Sequence, residues 1–86
     1  MNSSDKNLDV TIQTTRGTKQ FAFSKQTKIA DVIAQAISSF DFAQGDRFEL
    51  VLASNPSEPL QPERPLVSYH IEDGTVLILT AIGSGV

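Results

Sequence analysis

The chain has 86 residues, 40% hydrophobic and 20% charged, with a formal net charge of −3. That length fits one domain, which buries about 60–65% of its unfolded surface and leaves no room for a second core. The absence of cysteine excludes disulfides, thiolate catalysis and cysteine-ligated metals. Scattered cations on an acidic chain argue against nucleic acid. The longest apolar run falls far short of the ~18 residues of a membrane span, and no charged and apolar leader is seen, so neither a membrane nor a signal peptide is expected.

Residues 1–7 are polar and read as a frayed start. Leu8, Val10 and Ile12 then alternate with Asp9, Thr11 and Gln13, the pattern of a half-buried strand. Arg16-Gly17-Thr18 supplies a turn, with Gly17 free to take positive φ. The second alternating run, Gln20 to Ser24, puts Phe21 and Phe23 on one face and completes a hairpin. Arg16 and Lys19 lack interleaved aromatics and read as a solvated hairpin tip.

The period changes at Ile29. Ile29, Val32, Ile33, Ala36, Ile37 and Phe40 define a single helical face. Thr27 is the expected N-cap, Asp31 complements the helix dipole, and Phe42 anchors the chain just beyond the helix. From Phe48 to Ala53, Phe48, Leu50 and Leu52 oppose Glu49, Val51 and Ala53, giving a third strand. Pro56, Pro59, Pro62 and Pro65 follow at every third position and are expected to block regular ladders and helices. That spacing also suits a polyproline ligand, but a rigid low-entropy loop pegged by Leu60 and Leu66 is the better reading.

Gly74 launches a last strand, the β-branched and aliphatic run Thr75 to Thr80. The order strand, strand, helix, strand, irregular loop, strand fits an α+β β-grasp fold, a mixed four- to five-stranded sheet with one amphipathic helix packed across it. Right-handed connection through the helix places the first and last strands side by side and parallel. The domain is expected over residues 8–80, followed by a flexible tail over 81–86, Ala81-Ile82-Gly83-Ser84-Gly85-Val86.

Enzymatic readings fail on the residues. His70, the single histidine, has no evident nucleophile or carboxylate partner. Glu72 and Asp73 are too few for a metal site, and Gly83-x-Gly85 lies at the wrong end of a strand for a dinucleotide loop. Neither catalysis nor a cofactor is expected.

The pattern Leu60…Leu66-x-x-Tyr69-x-Ile71, then Asp73-Gly74-Thr75 with Leu77 and Leu79, resembles the ubiquitin family. The resemblance extends to the first hairpin, the helix from Ile29 and Phe42, and so covers about residues 8–86. These motifs are specific to the fold and not to a function. The resemblance implies that Leu60 and Leu66 peg the loop and that Tyr69 secures a turn through its hydroxyl.

It also implies a protein modifier. In that family the terminal carboxylate is adenylated, passed to an enzyme nucleophile and joined to a target amine. Gly83, Ser84 and Gly85 would occupy that tail, and glycine, lacking Cβ, lets it enter a narrow channel. The expected partners are activating and conjugating enzymes, a processing or deconjugating peptidase, and target proteins, with the chain itself a cytoplasmic monomer in isolation. The departure is Val86, which stands beyond the glycine and crowds the carboxylate. Either a peptidase removes it, or the partner enzymes accept it, or no conjugation occurs. The ubiquitin-like proteins of bacterial conjugation operons tolerate unusual ends, and this chain is similar to that group.

The alternative is a non-covalent adaptor that binds through the outward sheet face, with Val51, Ile78 and Thr80 joined by Ala53, or with Glu49 in place of Val51 at its centre if the register shifts by one residue. A sulfur carrier with a terminal thiocarboxylate ranks third, because it too requires a Gly-Gly end. Lys19, Lys25 and Lys28 are acceptor candidates for chain formation that nothing in the sequence singles out.

Overall fold

A computed structural model describes residues 7–42 and 47–82. Two strands open the chain, β1 (Leu8–Thr14) and β2 (Gly17–Phe23), followed by helix α1 (Ile29–Ser39). Strands β3 (Phe48–Leu52) and β4 (Asn55–Pro59), a 3₁₀ turn (Leu66–Tyr69) and β5 (Thr75–Ala81) complete the described elements. The five strands form one mixed sheet in the order β2-β1-β5-β3-β4. β5 runs parallel to β1, with Ile12 beside Leu77, and antiparallel to β3, with Leu50 beside Leu79. This is the β-grasp arrangement expected from the element order.

The core forms where the inward faces of the sheet meet α1. Val10, Ile12, Leu50, Leu77 and Leu79 face Ile29, Val32, Ala36 and Phe40, all buried. Leu60 and Leu66 are buried in the same cluster, so both pegs seat as expected. Phe42 is half-buried and packs against the cluster beside Phe48, the two rings tilted by 51° with centroids 5.0 Å apart.

Several local details differ from the sequence reading, each for a physical reason. The first turn falls at Thr15-Arg16, and Gly17, at φ +126°, already belongs to β2. The Thr14 hydroxyl closes this turn, accepting from the Arg16 N–H (2.9 Å) and donating to the Gly17 carbonyl (3.1 Å).

Thr27 does not cap α1. The residue preceding the helix is Lys28, with no side-chain cap. The first helical N–H groups instead donate to the proline-rich loop: Ile29 to the Arg64 carbonyl and Ala30 to the Pro62 carbonyl, both at 2.9 Å. Backbone acceptors from a distant segment thus satisfy donors that a helix leaves unpaired.

The proline-rich segment is not wholly irregular. Residues Asn55–Pro59 form β4, joined to β3 through Leu52 beside Asn55 and Val51 beside Pro59, with a bulge between. Two prolines are tolerated because β4 is an edge strand, where a missing N–H can face solvent.

Arg16 and Lys19 are exposed but not free. The Lys19 ammonium donates to the Ser39 carbonyl (2.7 Å) and lies 5.2 Å from the Phe40 ring centroid. The Arg16 guanidinium donates to the Asp41 carbonyl (3.2 Å) and lies 4.9 Å from the Phe42 centroid. The last turn of α1 contains no basic residue. The hairpin therefore supplies, from across the fold, the cations that favour a helix C-terminus.

Candidate functional site

The candidate site has two parts, the outward face of the sheet and the root of the tail, and β5 carries both. In the β3–β5 register Val51 pairs with Ile78 and Glu49 with Thr80, so all four share the outward face. Their exposure differs. Thr80 is exposed, Ile78 and Glu49 are half-buried, and Val51 is 3% exposed although it lies outside the main core cluster. Val51 is flanked by Ile78 on one side and Pro59 on the other, which accounts for its burial. It supports the face from beneath and presents almost no surface. Ala53 is exposed and donates its N–H to the Val76 carbonyl (3.0 Å), placing it next to a further half-buried apolar residue. The sequence reading missed Pro59, because a proline-rich run hides a strand. A hollow of about 170 Å³ opens where Ile78 and Thr80 approach Gln13 and Thr15 of the first hairpin.

The tail leaves from the end of β5. The strand continues through Ala81, and the Ile82 N–H donates to the Arg47 carbonyl (2.8 Å). The first two positions of the expected tail are therefore tied to the sheet. Ile82 is nonetheless 40% exposed, an unusual surface for a large aliphatic side chain. It borders a groove with Ile33, Phe48, Leu60 and Pro62, rimmed by Arg47 and Glu49. Gly83, Ser84, Gly85 and Val86 lie outside the described residues.

Tyr69 holds the segment that positions β5. Its hydroxyl accepts the Gln61 N–H at 2.8 Å, as the resemblance implied. His70 follows in the left-handed region (φ 56°), and its N–H donates to the Val67 carbonyl (3.1 Å), which makes it a turn residue. The Asp73 carboxylate accepts the Asp9 N–H (2.9 Å), and the Gly74 N–H donates to the Asp9 carbonyl (2.7 Å). This joins the start of β5 to β1 and gives Asp73 a structural task. Among the described residues, no group of three or more His, Asp or Glu side chains could hold a metal ion. No described helix is long and apolar enough to cross a membrane. Lys25 and Lys28 are exposed, whereas Lys19 is engaged at the end of α1.

The chain matches no protein-family model and no curated protein sequence. It is similar in structure to a de novo design based on ubiquitin, at 21% identity and a TM-score of 0.76, over 93% of this chain and 94% of the design. It is also similar to ubiquitin from Caldiarchaeum subterraneum, at 13% identity and a TM-score of 0.75, over 93% of this chain and 99% of that one. The ubiquitin-like domain of an Arabidopsis thaliana protein superposes with a TM-score of 0.78 at 11% identity, over 95% of this chain and 84% of that domain. At such identities the likeness is one of architecture, and the chain has the ubiquitin-like β-grasp fold.

Proposed function

We propose that the chain is a ubiquitin-like protein modifier, or the precursor of one, and a substrate of other enzymes with no catalysis of its own. One observation carries this reading: the chain leaves the domain from β5, a central strand paired on both sides, and runs directly into Gly83-Ser84-Gly85-Val86. A strand bonded to both β1 and β3 is a firm base for a thin tail that another protein must grip. The carboxylate would attack ATP to give an acyl adenylate and release pyrophosphate. A thiolate of the enzyme would displace AMP, and a target amine would displace the thiol to leave an amide. Removal of Val86 by a peptidase would expose Gly85, whose carboxyl carbon is less hindered. Acceptance of Val86 as it stands is the course that bacterial conjugation systems suggest, and either course suits a cytoplasmic setting. Intact-mass analysis after co-expression with candidate activating and processing enzymes tests the proposal. Loss of Val86, or an adduct through Gly85 or Val86, supports it. Full partner binding and in-cell function after deletion of Ser84 to Val86 would sink it.

A non-covalent adaptor is the second reading, favoured by the row of Pro59, Val51 and Ile78 across the outward face. Ile78→Asp is the informative change for it, because Ile78 keeps accessible surface whereas Val51 is buried. Loss of partner binding by a folded Ile78→Asp protein, with the tail dispensable, would favour the adaptor over the modifier.

A further inference from the structure

Among the described residues two large apolar side chains are exposed, Val67 and Ile82. Val67 lies on the 3₁₀ turn, whereas Ile82 stands where β5 gives way to the tail. The bond from its N–H to the Arg47 carbonyl extends the β3–β5 ladder and holds it in place. Single aliphatic side chains are common on protein surfaces, but Ile82 is not single. It lines a groove of about 410 Å³ in which six of the eight lining residues are apolar.

Segments remote in sequence build this groove. Ile33 comes from α1, Phe48 from the start of β3, Leu60 and Pro62 from the loop after β4, and Ile82 from the end of β5. The hollow stays open because β4 stops short, pairing with β3 at Val51 and Leu52 and not at Phe48 or Glu49. Leu60 is buried, and Ile33 and Phe48 are half-buried against the main core, so the walls are set before anything binds. The rim carries one charge of each sign, Arg47 and Glu49, and so favours neither a strongly acidic nor a strongly basic partner. An apolar group is what such a hollow takes from water.

The tail limits which partner can cover it. Gly85 stands three residues beyond Ile82, and three fully extended residues span about 10–11 Å. A domain of about 100 residues already has a radius of gyration of ~13 Å. An enzyme that draws the Gly85 carbonyl into its catalytic centre must therefore lie against the domain where β5 ends. The apolar surface there is Ile82 and its groove.

We infer that the groove bounded by Ile33, Phe48, Leu60, Pro62 and Ile82 receives a bulky apolar side chain of the enzyme that acts on the tail. Burial of that side chain between preset walls anchors the enzyme while the tail is threaded. The inference rests on the modifier reading and adds to it a docking surface outside the tail itself.

The test places the photo-crosslinking residue p-benzoylphenylalanine in the N-terminally tagged full chain, expressed in its host cells. It replaces Arg47 on the groove rim, Ser84 in the tail, or Val67 as a control. Arg47 and Val67 are both exposed, so the core is left alone. Irradiation is expected to join the same protein to positions 47 and 84 and not to position 67. In parallel, conjugates are quantified against free chain by mass spectrometry. Ile82→Gln and Ile33→Gln should each lower conjugates at least about tenfold, the scale of losing one buried anchor. Val67→Gln should leave them unchanged, and the conservative Ile82→Leu should retain most of them. Ile82 is 40% exposed, so Ile82→Gln decides the matter even where Ile33→Gln does not fold. No conjugate from the unsubstituted chain would refute the modifier reading and this inference with it. Conjugates at the parental level in Ile82→Gln, or different proteins joined to positions 47 and 84, would overturn the inference alone. So would a crosslinked dimer of the chain through position 47, which would make a second copy the occupant.

Discussion

Replacing Tyr69 with Phe deletes one hydroxyl and leaves the ring in place, so it isolates a single contact. That hydroxyl accepts the Gln61 N–H at 2.8 Å and ties the loop after β4 to the 3₁₀ turn. A neutral hydrogen bond of this kind contributes about 0.5–1.5 kcal/mol net. An orphaned N–H would cost more if no water could reach it, but Gln61 is exposed and its amide can be hydrated. The expected loss is therefore about 1 kcal/mol, which for a domain of this size lowers Tm by roughly 4–8 °C. The effect should also be local. The segment fixed by Tyr69 presents the Pro62 and Arg64 carbonyls to Ala30 and Ile29 at the start of α1. Native-state amide exchange at residues 29 and 30 should accelerate more than at Ile12 or Leu77, which lie beside each other on paired strands and make no backbone bond to the loop. Thermal melts and urea titrations with an unchanged m-value would read the global term. A Tm within a degree of the parent, or unchanged protection at residues 29 and 30, would show that Leu60 and Leu66 hold the loop unaided.

Gly17→Ala should cost about 1–2 kcal/mol, because φ is +126° there, although a Cβ would meet nothing within 4 Å. A neutral result in chemical denaturation would mean that the turn relaxes to another form. Leu66→Ala empties a fully buried site and should cost about 2–5 kcal/mol in the same assay. A cost below 1 kcal/mol would remove Leu66 from the core account. Lys19→Met keeps the stem over Phe40 and removes the charge at the Ser39 carbonyl. It should cost about 0.5–1 kcal/mol at low salt and less at high salt, and a salt-independent loss would argue against the dipole contribution.

The parts of the fold legible in the sequence were those with a local period. The spacing from Ile29 to Phe40 specified the helix, and the alternation in β1 and β3 specified faces that the register bears out. Leu60, Leu66 and Tyr69 were placed by resemblance, and all three do what it implied. What was hidden depends on contacts between distant segments. β4 escaped because prolines oppose strand formation until edge placement makes the missing N–H harmless. The helix cap was assigned to Thr27 because side-chain caps are the local signal, whereas the acceptors come from Pro62 and Arg64. Arg16 and Lys19 looked solvated because nothing near them in sequence reveals Ser39 and Asp41. At the candidate site, the alternation put Val51 on the right face and could not reveal that Pro59 and Ile78 enclose it.

The central proposal concerns the tail and is tested most directly by looking for the bond it would form. The chain, tagged at its N-terminus, can be expressed in its host cells and its products isolated under denaturing, reducing conditions. No glutamate follows Glu72, so a glutamate-specific protease would leave an arm beginning at Asp73 on any conjugated target. Mass spectrometry of branched peptides is expected to show that arm joined through an amide to a target amine, ending at Gly85 if Val86 is removed and at Val86 if it is kept. The absence of any branched peptide, with in-cell function preserved after deletion of Ser84 to Val86, would contradict the modifier reading.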